Sequence, residues 1–173
     1  MEEAFQPLPV ARVDFPYRKA GKPFPDRAPV LVQCVKNEVR AFASSIGVET
    51  TSLVIGGRSM GGRMCSMAVA DENDPLHVAG LVLVSYPLHP PKKPESLRTE
   101  HLPRLSVPTL CISGTKDDFG SPEELTNAFT TVPASVTWQW VENARHELAR
   151  QDEKVAGLAA EWVSQLSATN QLD

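Results

Sequence analysis

An apolar strand that runs into Gly57-x-Ser59-x-Gly61 and then into a helix constrains this chain more than any other stretch of it. In Leu53-Val-Ile-Gly-Gly-Arg-Ser-Met-Gly-Gly62, glycines flank Ser59 because so sharp a turn leaves no room for side chains between strand and helix. The turn presents the serine at the strand's carboxyl end. The helix that follows aims its N-terminal dipole, and the N–H of Met60, at an oxyanion developing on a bound carbonyl.

A strand ending in such a turn needs neighbours. Short β-rich runs recur along the chain: Val10 to Phe15, Ser52 to Ile55, Val78 to Val84, Thr109 to Ser113 and Val136 to Val141. Helical patterns separate them. Leu31, Val35, Val39, Phe42 and Ile46 form one apolar stripe of a helix that ends near Gly47, a stripe expected to pack on the sheet. Residues after Gly61 read as helix to about Ala70. Ser121-Pro-Glu-Glu124 has an N-cap serine, a first-turn proline and early acids. Gln151 to Gln165 carries the last helical repeat, with a tail from Ser167 expected to fray. Two proline-rich stretches, Phe15 to Pro29 and Tyr86 to Pro108, are expected to be irregular, because proline lacks the N–H and fixes φ.

The alternation of strands and helices, with Val78-Ala-Gly-Leu-Val-Leu-Val84 almost continuously apolar, predicts an α/β fold: a mostly parallel sheet with helices on both faces. At 173 residues there is material for one core, so residues 1–173 are read as a single domain. A net charge of −4, with acids and bases interspersed, leaves no basic stripe for nucleic acid. No run of apolar residues is long enough to cross a bilayer, and the Met-Glu-Glu opening lacks the pattern of a signal peptide, so a cytoplasmic chain without membrane contact is expected. Cys34, Cys65 and Cys111 are odd in number and widely spaced, which predicts buried free thiols rather than disulfides or a zinc site.

A serine hydroxyl needs a base within hydrogen-bond reach, and the base needs orienting. Where a serine stands on a strand-to-helix elbow, the acid and then the histidine follow it at later strand ends. After Thr109 to Ser113 come Asp117 and Asp118; Asp117 is the assigned acid and Asp118 the fallback. After Val136 to Val141 comes His146, the assigned base. His77 precedes a strand, on the opposite rim, and His89 and His101 fall in the proline-rich excursion, so surface or loop-packing roles are expected of them. Histidine spacing gives no metal site, and no cofactor is expected.

At these residues the sequence resembles the small α/β-hydrolases related to dienelactone hydrolase, and most closely a subgroup that includes a testis-expressed protein and a subunit of a chromatin-modifying complex. The likeness runs through Phe15-Pro-Tyr-Arg, Gly57-Arg-Ser-Met-Gly-Gly-Arg63, Tyr86-Pro-Leu-His-Pro-Pro, Leu97-Arg-Thr-Glu-His-Leu102 and Gly114-Thr-Lys-Asp-Asp-Phe-Gly120 to His146. It implies an α/β-hydrolase fold, a triad of Ser59, Asp117 and His146, and an excursion from Tyr86 to Pro108 that borders the active site. It departs at the start. Family members open with a strand, a His-Gly-type loop that completes the oxyanion hole, and a helix, whereas here Val10 lies nine residues after Met1. An N-terminally truncated domain is therefore expected, without the strand next to the one leading to Ser59.

These observations imply a serine hydrolase of carboxylic-ester type acting on a small ester or related acyl compound, with Met60 as one oxyanion donor and activity reduced by the short start. Arg58 and Arg63 flank the elbow and would suit an acidic acyl group; Lys92 and Lys93 fit a solvated surface. The alternative is a catalytically impaired module that binds a protein partner, or a second copy of itself, through the exposed sheet edge. A phosphate-binding α/β domain would use Gly56 to Gly62 as an anion turn, but the chain lacks the lysine and the acidic ribose partner of those motifs.

Overall fold

The computed structural model describes residues 2–169. Its centre is a parallel sheet of β1 (Val54–Arg58), β2 (Gly80–Val84), β3 (Thr109–Gly114) and β4 (Val136–Val141), in that spatial order. Register is continuous from Val54 opposite Gly80 to Gly114 opposite Val141. All four carboxyl ends therefore lie along one rim, where the loops carrying Ser59, Asp117 and His146 begin.

Side-chain alternation divides the sheet between two cores. Ile55, Leu81, Leu83 and Cys111 face α2 (Ala28–Ile46), α3 (Met60–Val69) and α4 (Pro122–Phe129), packing with Leu31, Met64, Ala68 and Phe129. Val82, Val84, Leu110, Ile112 and Val141 face the opposite way, onto Val155 and Ala159 of α5 (Asp152–Thr169). Helices thus cover both faces, as expected. β2 and β3 are buried at every residue, so the apolar runs that mark them in the sequence are the sheet's middle.

The helix signals work at both ends. Gly47 closes α2 in the left-handed region with φ 70°, its N–H and that of Val48 bonded back to the last turn. Ser121 and Glu124 form a reciprocal capping box at the start of α4. The α2 stripe packs against α3, and its Leu31, Val32 and Val35 share one buried cluster with Ile55, Leu81 and Leu83 of the sheet. Ser167 to Thr169 continue α5 rather than fray, and the remainder of the expected tail lies outside the described residues.

Val10 to Phe15 is not a strand. The apolar alternation is there, but a strand exists only by hydrogen bonding to a neighbour, and the segment pairs with none. Val10 and Val13 are exposed, while Phe15 turns in and stacks on Tyr17 of the short helix α1 (Pro16–Lys19). Smaller corrections concern strand starts: Thr50–Ser52 is a 3-10 turn, so β1 begins at Val54, and β2 begins at Gly80. β1 pairs only with β2, so its outer edge is open among the described residues. Apart from α1, the first residues of α2 at Ala28 and Pro29, and a 3-10 turn at Leu102–Arg104, both proline-rich stretches are irregular. Cys65 and Cys111 are buried and Cys34 is half-buried, all three as free thiols.

Candidate active site

Ser59 sits between β1 and α3 with φ 52° and ψ −120°, a conformation that costs a non-glycine residue energy and that recurs where a side chain must be presented. Its N–H bonds to Val84 O at 2.8 Å, anchoring the elbow to β2. The glycines explain how the turn closes: a Cβ on Gly57 would stand 2.7 Å from the backbone of Gly61 and Gly62. Strand and helix meet there with no side chain between them. As the first residue of α3, Met60 has an N–H with no partner inside the helix.

Two loops at neighbouring strand ends bring the other groups to Ser59. After β3, Thr115 N–H bonds to Val141 O and Lys116 N–H to Ala144 O, tying the loop after β3 to the loop after β4. Asn143 N–H adds a bond to Thr115 Oγ1 at 2.8 Å, and Asn143 itself adopts φ 59°. This bracing sets His146 against Asp117. His146 Nδ1 lies 2.9 and 2.8 Å from the two Asp117 carboxylate oxygens, and Nε2 lies 2.8 Å from Ser59 Oγ. With Nδ1–H donated to the carboxylate, Nε2 is left as acceptor for the serine hydroxyl.

Asp117 is buried, with its Oδ1 also accepting the Phe119 N–H at 2.8 Å. Asp118, one residue on, points outward, 3.5 Å from exposed Arg145. The loop thus turns Asp117, and not Asp118, toward His146. Phe119 contributes more than its N–H: its ring stacks on the His146 imidazole, centroids 4.0 Å apart and planes 27° from parallel. Sequence reasoning missed it, and its only signal is its place two residues after Asp117.

The other histidines divide. His77 is exposed. His89 is buried in the excursion, with Nδ1 donating to Pro90 O at 2.9 Å and its backbone N–H to Phe119 O at 3.1 Å. That second bond seats the excursion beside the acid loop. His101 is also buried, 2.8 Å from Ser66 Oγ, and its pKa is pushed down from 6.5 to about 4, first by burial and then by the charges of Arg63 and Arg104. Both pack inside the protein, His89 beside the acid loop and His101 against α3.

Of the arginines beside the elbow, Arg58 is tied to Asp152 Oδ1 at 2.8 Å and to Glu147 O at 3.3 Å, so it latches β1 to the start of α5. Lys92 and Lys93 are exposed. A shallow hollow between α1 and α2, lined by Pro16, Val30 and Cys34, contains none of these groups. No helix among the described residues is long and apolar enough to cross a membrane.

Comparison with known proteins agrees with this architecture. A family model described as an alpha/beta hydrolase domain matches residues 3–172. Among solved structures, the chain is similar to a monoacylglycerol lipase from Paleococcus ferrophilus, at 15% identity and TM-score 0.61 over 78% of this chain and 76% of that one. It is similar to a thermophilic esterase from Thermogutta terrifontis, at 20% identity and TM-score 0.59 over 78% and 72%. A dienelactone hydrolase from Anabaena variabilis aligns at 22% identity and TM-score 0.56 over 80% and 58%. At such identities the likeness speaks for the fold.

Proposed function

We propose, for a chain that belongs to the alpha/beta hydrolase domain family, that it is a serine hydrolase cleaving a small ester or related acyl compound. One arrangement carries the proposal: His146 lies within hydrogen-bond reach of Ser59 Oγ through one ring nitrogen and of both Asp117 oxygens through the other. Three residues from three strand ends meet in the order of donor, base and orienting acid. Neighbours whose names are lipase, esterase and dienelactone hydrolase are consistent with ester chemistry.

In this mechanism Ser59 Oγ bonds to the acyl carbon while its proton passes to His146 Nε2. The Met60 N–H donates to the carbonyl oxygen as it gains charge. The carbon–oxygen bond to the alcohol then breaks, and His146 returns the proton to the departing oxygen. Water next gives a proton to His146 and attacks the acyl carbon; the bond to Ser59 Oγ breaks, His146 returns the proton to Oγ, and the acid leaves. Asp117 keeps its charge throughout, fixing the ring's tautomer and facing the imidazolium when it forms.

The test is hydrolysis of 4-nitrophenyl butyrate by wild type, Ser59→Ala and His146→Ala. Turnover by the wild type that falls to background in both variants supports the proposal. A folded wild type with no turnover favours the second reading, a catalytically impaired module that holds a protein partner or a second copy. That reading draws on the open outer edge of β1, whose N–H and C=O groups lack a neighbouring strand among the described residues.

A further inference from the structure

Arg63 follows Ser59 by one helical turn. Its N–H bonds to Ser59 O at 3.0 Å, so the two side chains leave neighbouring positions on one face of the elbow helix. Unlike Arg58, Arg63 is unpaired: its Nε is buried with no hydrogen-bond partner, and no carboxylate of the described residues reaches its guanidinium within ion-pair distance.

A second arginine without an acid partner among the described residues stands in the excursion, whose Tyr86 ring lies 6.5 Å from that of His101, the partner of Ser66. Arg98 is held at its backbone, with its N–H on Leu88 O at 2.9 Å and its carbonyl accepting the Tyr86 hydroxyl at 2.6 Å. Its half-buried side chain donates from Nη1 to Pro87 O at 3.1 Å and meets no acid among the described residues. The two arginines feel each other: the Arg98 pKa is pushed down, first by burial and then by the Arg63 charge. The nearby His101 is neutral at ordinary pH, and through Ser66, whose hydroxyl donates to Arg63 O at 2.8 Å, it braces the turn that carries Arg63.

Two like charges, partly buried and without a counter-ion, are a costly arrangement for a protein to hold on its own. A bound anion would relieve it, and the forked donors of guanidinium groups match a carboxylate. We propose that Arg63 and Arg98 form an anion-binding subsite beside Ser59, and that the preferred substrates are esters whose acyl chain ends in a carboxylate. This rests on the hydrolase reading for its chemistry but not for the binding itself. The carboxylate anchors the acyl chain one helical turn from the nucleophile, so binding energy remote from the reacting carbon orients the carbonyl over Ser59.

The experiment compares the 4-nitrophenyl monoester of glutarate with 4-nitrophenyl butyrate, and separately measures the melting temperature with free glutarate against chloride at equal ionic strength. Wild type is expected to prefer the anionic ester in kcat/KM by on the order of tenfold or more. Arg63→Gln and Arg98→Gln should each collapse that ratio, and Arg63→Lys should restore part of it. Glutarate should raise the melting temperature of wild type and of Ser59→Ala, but not of Arg63→Gln or Arg98→Gln.

A ratio near one in the wild type, or a ratio unchanged in both glutamine variants, overturns the subsite even if both esters are cleaved. If neither ester is cleaved, the glutarate shift decides. A shift lost with either arginine keeps the subsite while the hydrolase reading fails, and no shift sinks the subsite. Should Arg63→Gln fail to fold, Arg98→Gln and Arg63→Lys supply the same readings.

Discussion

Two serine–histidine pairs lie within two turns of one helix, each with a 2.8 Å contact, and their surroundings differ. Ser59 and His146 meet at the sheet's carboxyl rim, with a buried carboxylate behind the imidazole and an aromatic ring stacked on it. Ser66 and His101 meet in the core. Ser66 is fully buried and spends its proton on Arg63 O, so it accepts from His101 Nε2 rather than donating to it. Among the described residues no acid backs His101; its charged neighbours are arginines, and its pKa of about 4 makes it a poor base. Hydrogen-bond distance alone therefore does not make a catalytic dyad. What differs is the proton's direction, the acid, and access.

The largest effect that would sharpen this contrast is on the acid. Asp117→Asn is expected to lower kcat for a neutral ester by on the order of ten-thousandfold, because an amide can hold the imidazole in the wrong tautomer. A loss below tenfold would mean that Asp117 does not orient His146. Asp118→Asn, which removes only an exposed contact to Arg145, should change kcat by less than about twofold.

The core pair should instead reveal itself in stability. His101 is depressed in the folded state, so the unfolded chain takes up a proton first as the pH falls. Stability is thus complete above 6.5 and lost progressively down to about pH 4, by about 3 kcal/mol in all. In denaturant melts over that window, His101→Gln should lose less stability than wild type as the pH is lowered. Parallel curves for the two proteins would contradict a buried neutral imidazole.

The smallest expected effect concerns Phe119. Replacing it by leucine removes a stacked pair worth about 1 kcal/mol, so kcat should fall severalfold with KM nearly unchanged. An effect confined to KM would make Phe119 a substrate contact rather than a positioning residue.

The same contrast marks what the sequence could convey. Ser59, Asp117 and His146 were legible because each lies just past an apolar strand, and strand ends in a parallel sheet share a rim. Gly47 and Ser121 were legible because caps obey local rules. Val10 to Phe15 misled because alternation reports a segment's suitability for a sheet, whereas forming a strand depends on a neighbour elsewhere in space. The burial of His101 and the influence of Arg63 on Arg98 depend on how the excursion folds back, and the stack of Phe119 on His146 on how the loops after β3 and β4 meet. No periodicity in the proline-rich stretch encodes that path.

The most direct test is where a fluorophosphonate, which modifies only an activated serine, attaches. Trypsin cuts after Arg58 and Arg63, so Ser59 and Ser66 fall on different peptides. Mass spectrometry should find the adduct on Ser59-Met-Gly-Gly-Arg63, none on the peptide that begins at Met64, and no adduct anywhere in His146→Ala. A folded wild-type chain that carries no adduct, or carries it on Ser66, would contradict the assignment of Ser59 as nucleophile.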